Sequence, residues 1–220
     1  MTTYHPQTQV CCICGTSNEC SVIGSTNTLG APDLDLRPAE MERSTMHAWF
    51  HQCKNCHYVS VDLSRETQDA KSIVDSTDYQ ELMADSEIPE VAKRFVACSL
   101  LNAKDREISG VALLRAAWDC DDHDKPDMAK AYREQSADLL RQLQPFEDQE
   151  EQATIGVMLI DVLRRAARFE EANKLADQML KFKTVKRSPA MLAVVKFQKS
   201  LCESQSIERH TIDEAMKTDG

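Results

Sequence analysis

Two short motifs constrain this chain more than anything else in it: Cys11-Cys12-Ile13-Cys14-Gly15 and Cys53-Lys54-Asn55-Cys56-His57. Each sets two cysteines three positions apart on a tight turn. Thiolates at that spacing reach one tetrahedral ion at about 2.3 Å, while backbone N–H groups of the turn point at the sulfurs. Gly15 stands where such a turn wants positive φ. The pair of motifs predicts one structural zinc ion held by Cys11, Cys14, Cys53 and Cys56. A redox dithiol and a set of unrelated buried cysteines are the competing readings. A closed four-thiolate shell stabilises and does not catalyse.

The CxxC register leaves Cys12 and Cys20 as non-ligands. The chain has 9 cysteines, but disulfide scaffolds belong to short secreted chains, and pairwise clustering near one end points to metal. His57 follows the last ligand and can hydrogen-bond a sulfur. His47 and His51 stand four apart, and without an accompanying carboxylate they are read as ordinary surface histidines. The net charge of −10 opposes nucleic-acid binding, which draws its affinity from Lys and Arg. No stretch approaches the roughly 18 apolar residues of a membrane span, and the first residues lack the pattern of a signal peptide. The expected setting is the cytoplasm, with no membrane.

From residue 1 to 64 the chain is rich in turn-forming residues, and the apolar stretches Cys20–Ile23 and Tyr58–Val61 alternate like strands. From 65 to 220 strong helix formers dominate. The predicted fold class is therefore mainly α: a zinc-knuckle β module over 1–64, then an antiparallel, tetratricopeptide-like helical domain over 65–220. Proline and cap positions place helices at about 66–84, 88–104, 107–119, 127–143, 149–167, 170–182, 189–203 and 207–217. Pro89, Pro126 and Pro189 read as first helical residues, Ser188 as an N-cap, and Asp148 with Glu151 as a capping box. Helix pairs of about 34 residues are the mark of tetratricopeptide repeats, and Leu159 to Leu180 match best, with Phe169 and Ala172 at the turn between the helices. A plain helical bundle is the other reading.

Three polar stretches draw attention. In the segment 24–38, Asp33, Asp35 and Arg37 alternate with Leu34 and Leu36, as on one face of an extended strand whose leucines enter the core. A solvated face with a local ion pair, a recognition surface and an acid/base site are the three readings. The run from Asp119 to Asp127 reads as an inter-helix loop that caps helices. Lys181, Lys183, Lys186 and Arg187 form a basic cluster at a helix C-terminus.

The order CxxCG, GSTNTLGAPDLDLRP, HAWFHQCKNCHYVSVDLS and then RAAWDCDD within helices resembles a group of uncharacterised bacterial proteins with paired zinc knuckles and a tetratricopeptide-like C-terminal domain. The specific part is the first 63 residues. In that pattern the second knuckle usually reads CxxCGY, and here His57 replaces the glycine. The resemblance implies architecture and a bacterial cytoplasmic setting. The functional expectation is a non-enzymatic, zinc-containing adaptor whose helical domain takes a protein or peptide partner. The alternatives are an enzyme with its site around Asp33, Asp35 and Arg37, and a thiol-based redox sensor at Cys12 or Cys20.

Overall fold

The computed structural model describes residues 1–218: two small antiparallel sheets, followed by packed helices. In the first sheet β1 (Thr3–Val10) pairs with β2 (Ser17–Ser25), with Val10 opposite Ser17. In the second, β3 (His51–Gln52) pairs with β4 (Val59–Ser60), with Gln52 opposite Val59. Each CxxC motif is thereby the tip of a hairpin. A 3₁₀ helix (Arg43–Ala48) lies between the two sheets.

Ten α-helices follow among the described residues. The single helix expected over 66–84 is divided into α1 (Ala70–Val74) and α2 (Thr77–Ala84), because Ser76 acts as an N-cap whose Oγ accepts from Tyr79 N. Then come α3 (Glu90–Leu101), α4 (Arg106–Asp122) and α5 (Pro126–Leu140), with the 3₁₀ turn Arg141–Leu143. The last group is α6 (Glu150–Arg165), α7 (Phe169–Met179), α8 (Lys183–Arg187), α9 (Pro189–Glu203) and α10 (Ile212–Thr218). Pro126 and Pro189 open their helices, and Ser188 caps α9 by accepting from Met191 N; Pro89 stands one place earlier than expected, at the N-cap of α3.

Successive helices fold back on one another. At one end of the α3/α4 pair Ser99 Oγ and Ser109 Oγ lie 2.5 Å apart, and toward the other Asp119 Oδ2 accepts from Ala92 N at 2.8 Å. In the α4/α5 pair Ser136 Oγ donates to Gly110 O at 2.8 Å. Gly110 permits that approach: a Cβ there would stand 2.8 Å from Leu140 Cγ.

Two expectations are corrected. Asp119 to Asp122 do not lie in a loop, since α4 continues through Asp122 and only His123 to Lys125 connect it to α5. The proposed capping box does not form either: Gln149 is the N-cap of α6 without a side-chain bond, and the Asp148 carboxylate accepts from Lys183 N and Thr184 N at 2.8 and 2.9 Å. Asp148 thus caps α8, a helix the sequence reading did not anticipate.

The apolar interior has two parts. One gathers Phe95, Leu114, Leu140, Leu159 and Val195 from the helices and also takes Leu34 and Met46 from the segment between the CxxC motifs. The other surrounds the hairpin tips and joins Cys11, Cys53, Tyr58 and Leu63 to Ala70, Tyr79, Ala97 and Leu101 of α1 to α3. No helix among the described residues is long and apolar enough to cross a membrane.

Candidate metal centre

The two hairpin tips repeat one hydrogen-bond pattern. In the first, Gly15 N donates to Cys11 O at 2.8 Å and Cys11 N to Thr16 O at 2.9 Å. In the second, His57 N donates to Cys53 O at 3.0 Å and Cys53 N to Tyr58 O at 2.8 Å. Equivalent turns therefore present equivalent cysteine pairs. They are held together by Cys12 N on Leu63 O, by Leu63 N on Gln9 Oε1 and by Lys54 N on Asn18 Oδ1.

Cys11, Cys14, Cys53 and Cys56 meet between the tips, their sulfurs all within 4.8 Å of one another. Cys11 Sγ stands 3.6 Å from Cys56 Sγ, and Cys14 Sγ stands 3.5 Å from Cys53 Sγ. A tetrahedron with legs of about 2.3 Å has edges of about 3.8 Å, so four sulfurs at these separations fit a single ion. Separations of this size also exceed the disulfide bond length of about 2.05 Å, and every cysteine is a free thiol. Four cysteines thus stand close enough together to hold a metal ion, as the motif spacing predicts. Among the described residues they are the one group of three or more His, Cys, Asp or Glu donors so placed.

Hydrogen-bond donors surround the sulfurs. Backbone N–H groups of Cys14 and Ile13 bond Cys11, that of Thr16 bonds Cys14, and that of Tyr58 bonds Cys56. Cys14 Sγ lies 3.3 Å from Thr16 Oγ1, and this bond leads the effects that bring its pKa down to about 5. Burial pushes Cys11 and Cys56 the other way. Cys53 is fully buried, and Asn18 Nδ2 donates to its sulfur at 3.6 Å. Thr16 and Asn18 are therefore supporting residues not expected from the sequence; two polar residues just after a knuckle are the available signal.

The other sequence candidates lie apart from this cluster. Cys12 is exposed, Cys20 is buried in the apolar wall, and neither belongs to the four. His57 Nδ1 faces Gln52 Nε2 at 3.1 Å, and His47 Nδ1 faces Ser44 O at 3.0 Å. Among the described residues the histidines belong to no second group of three or more metal donors.

Asp33, Asp35 and Arg37 are neither a strand face nor solvated: they occupy a turn, and each is about 1% exposed or less. Leu34 enters the core as expected, whereas Leu36 is 38% exposed at φ 65°. The charges are met by the helices. Arg37 pairs with Asp122 at the end of α4, and Arg43 pairs with Asp33 at 2.9 Å. Asp35 Oδ2 accepts from Trp118 Nε1 at 2.8 Å and lies 3.4 Å from Arg165 Nη1. Arg165 also donates to Asp121, which Arg133 clasps with both Nη groups. The polar stretch is thus a buried latch between the inter-knuckle segment and helices α4 and α6.

Compared with known protein families, with characterised proteins and with solved structures, the chain matches none.

Proposed function

We propose that this chain is a non-enzymatic adaptor in which a zinc ion on Cys11, Cys14, Cys53 and Cys56 holds together the N-terminal module, residues 1–64, and a tetratricopeptide-like helical domain, residues 65–220, takes a protein or peptide partner. The observation carrying this reading is the closed four-sulfur set: with Cys11 and Cys53 at 1% and 0% exposure, an ion there keeps no position for substrate. All-thiolate tetrahedral coordination favours zinc over harder cations. Closing the loop between the knuckles fixes the segment that carries Leu34, Met46 and the latch, so ligation energy becomes folding energy for the helical face as well.

The helical hairpins α4/α5 and α6/α7 support a repeat-like array, with Ala172 fully buried where the repeat wants a small residue. A groove of about 540 Å³ between the α5–α6 connection and the C-terminal end of α7 has Pro145, Phe146, Met179 and Phe182 in its wall and Lys181 at its edge. Lys183, Lys186 and Arg187 stand exposed just beyond. An apolar floor with a basic edge suits an acidic peptide with an apolar anchor. The resemblance to bacterial paired-knuckle proteins and the cytoplasmic setting belong to this same proposal.

The enzyme reading loses its site, because the carboxylates and Arg37 of the polar stretch are spent on intramolecular pairs. The redox reading rests on Cys12 or Cys20, neither of which is in a disulfide, and Cys20 is buried in the apolar wall. The discriminating experiment pairs a metabolite screen on the metal-loaded protein with partner capture by the full chain and by Lys181→Glu. Turnover lost in Arg37→Ala, with no partner weakened by Lys181→Glu, would replace the adaptor with an enzyme.

A further inference from the structure

A second cavity, between the hairpins and α4, is used neither by the metal centre nor by the latch. Its volume is about 480 Å³, within the range of small-molecule sites, and its wall includes Val22, Ile23, Glu42, Trp49, His51 and Arg115. The guanidinium carbon of Arg115 lies 5.1 Å over the Trp49 ring. Cation–π contact at that distance attracts the guanidinium to the indole without providing an acceptor for its N–H groups.

Arg115 stands apart from the other arginines withdrawn from solvent. Arg37, Arg43, Arg133, Arg164, Arg165 and Arg168 all pair with carboxylates. Arg94 donates to His47 O and Phe50 O. Arg115, half-buried, has neither a hydrogen bond nor an ion pair among the described residues, and its Nε is buried without an acceptor. A guanidinium partly removed from water without an anion is costly to keep, and such a group facing a cavity marks a binding position. Burial pushes the Arg115 pKa down.

We propose that this cavity binds a monocarboxylate bearing an apolar tail, its carboxylate bridging both N–H groups of the Arg115 edge and its tail lying against Val22, Ile23 and Val61. A planar two-oxygen anion matches the guanidinium fork. One guanidinium without a counter-ion accounts for one negative charge, and Glu42 in the same wall repels a second, which disfavours phosphate dianions. Val61, 63% exposed at the mouth, is covered by the tail. The acid can be a free organic acid or the C-terminal carboxylate of a peptide. This inference stands independently of the adaptor reading.

The test titrates the full-length, metal-loaded protein with hexanoate and with hexanamide at fixed ionic strength, followed by calorimetry and tryptophan fluorescence. Hexanoate should bind about tenfold or more tightly than hexanamide, as expected for loss of a charge-assisted bidentate contact. Arg115→Gln should remove that preference, Arg115→Lys should keep part of it, and Glu42→Gln should tighten hexanoate. Lys and Gln at these two positions keep the test usable if Arg115→Gln melts early. A leucine-terminated peptide with a free C-terminus, set against its amide, separates the sources: binding tighter than hexanoate assigns a chain end, and weaker binding assigns a free acid. Equal binding of hexanoate and hexanamide, an unchanged affinity in both Arg115 variants, or displacement by an equal concentration of inorganic phosphate would overturn the proposal.

Discussion

His57 holds in the second knuckle the backbone position that Gly15 holds in the first. Their φ angles are 64° and 73°, and each N–H donates to the carbonyl of the cysteine four residues earlier. A side chain in the left-handed region costs roughly 1–2 kcal/mol, which glycine escapes. The Gln52 contact at 3.1 Å offsets part of that cost at His57.

The equivalence makes a prediction. His57→Gly should leave metal content unchanged and stability within about 1 kcal/mol of wild type, since relief of strain and greater freedom of the unfolded chain nearly cancel. His57→Val should lose roughly 1–3 kcal/mol, because a β-branched residue is least tolerant of positive φ. Urea denaturation of the three proteins, with metal analysis on each, checks both values.

For the metal itself, protein purified without added metal should carry about one equivalent of zinc, and Cys53→Ser should lower that content and the melting temperature together. Ligation of this kind contributes on the order of 10 kcal/mol to folding. Atomic absorption and thermal melts with and without chelator provide the measurement. A fully folded, metal-free wild type would refute the assignment.

How much of this was readable beforehand follows from distance along the chain. The cysteine ligands and the positive φ at Gly15 are consequences of five consecutive residues, and the motif exposes them directly. Helix positions follow from periodicity and caps, so most agree within a few residues. The role of Asp148 is hidden in the sequence because its partners, Lys183 and Thr184, lie on a helix whose position depends on tertiary packing. The role of Asp35 is hidden for the same reason: alternation suggests a solvent face, whereas its partners Trp118 and Arg165 are far along the chain. Arg115 gave no signal at all, since an unpaired arginine in a helix reads as surface.

The latch makes stability depend on pH in a calculable direction. Burial pushes the Asp121 pKa up, but the bonds from Arg133 and the charges of Arg133 and Arg165 outweigh it, and the carboxyl titrates below its ordinary value. A depressed carboxylate contributes stability that is fully present above its unfolded pKa, about 3.9, and is lost as pH falls through the folded value. Asp121→Asn should therefore cost roughly 1–3 kcal/mol at pH 7. The difference between variant and wild type should shrink as pH drops below about 4. Denaturant midpoints at pH 7, 5 and 3 measure it, and a gap that widens in acid would contradict the assignment.

Close packing of α4 on α5 gives a signed test at Gly110. Alanine gains about 1 kcal/mol of helix propensity, but its methyl would stand 2.8 Å from Leu140 Cγ in a core where Leu140 is fully buried. Overpacking costs roughly 1–3 kcal/mol, so Gly110→Ala should be net destabilising. In a Leu140→Ala background the clash is gone, and the same substitution should stabilise. A double-mutant cycle in urea reads the change of sign.

The last prediction separates the latch from the metal. Asp35 is fully buried and accepts from Trp118 while facing Arg165, so Asp35→Ala leaves a buried indole N–H and loosens a buried guanidinium. Breaking a buried charge pair from one side costs roughly 3–5 kcal/mol, although Asp121 still holds Arg165 and places the loss toward the lower end. Asp35→Asn keeps the acceptor for Trp118 but removes the charge, and should cost less than half as much. Neither change reaches the hairpin tips, whose own backbone bonds set the four sulfurs, so zinc content should remain near one equivalent in both variants. Chemical denaturation gives the stability ranking, and cobalt substitution with its thiolate charge-transfer band reports the coordination shell. An unchanged band with a several-kcal/mol loss in Asp35→Ala establishes the latch as a separate element. Loss of the band in the folded variant would mean instead that the latch holds the knuckles in register.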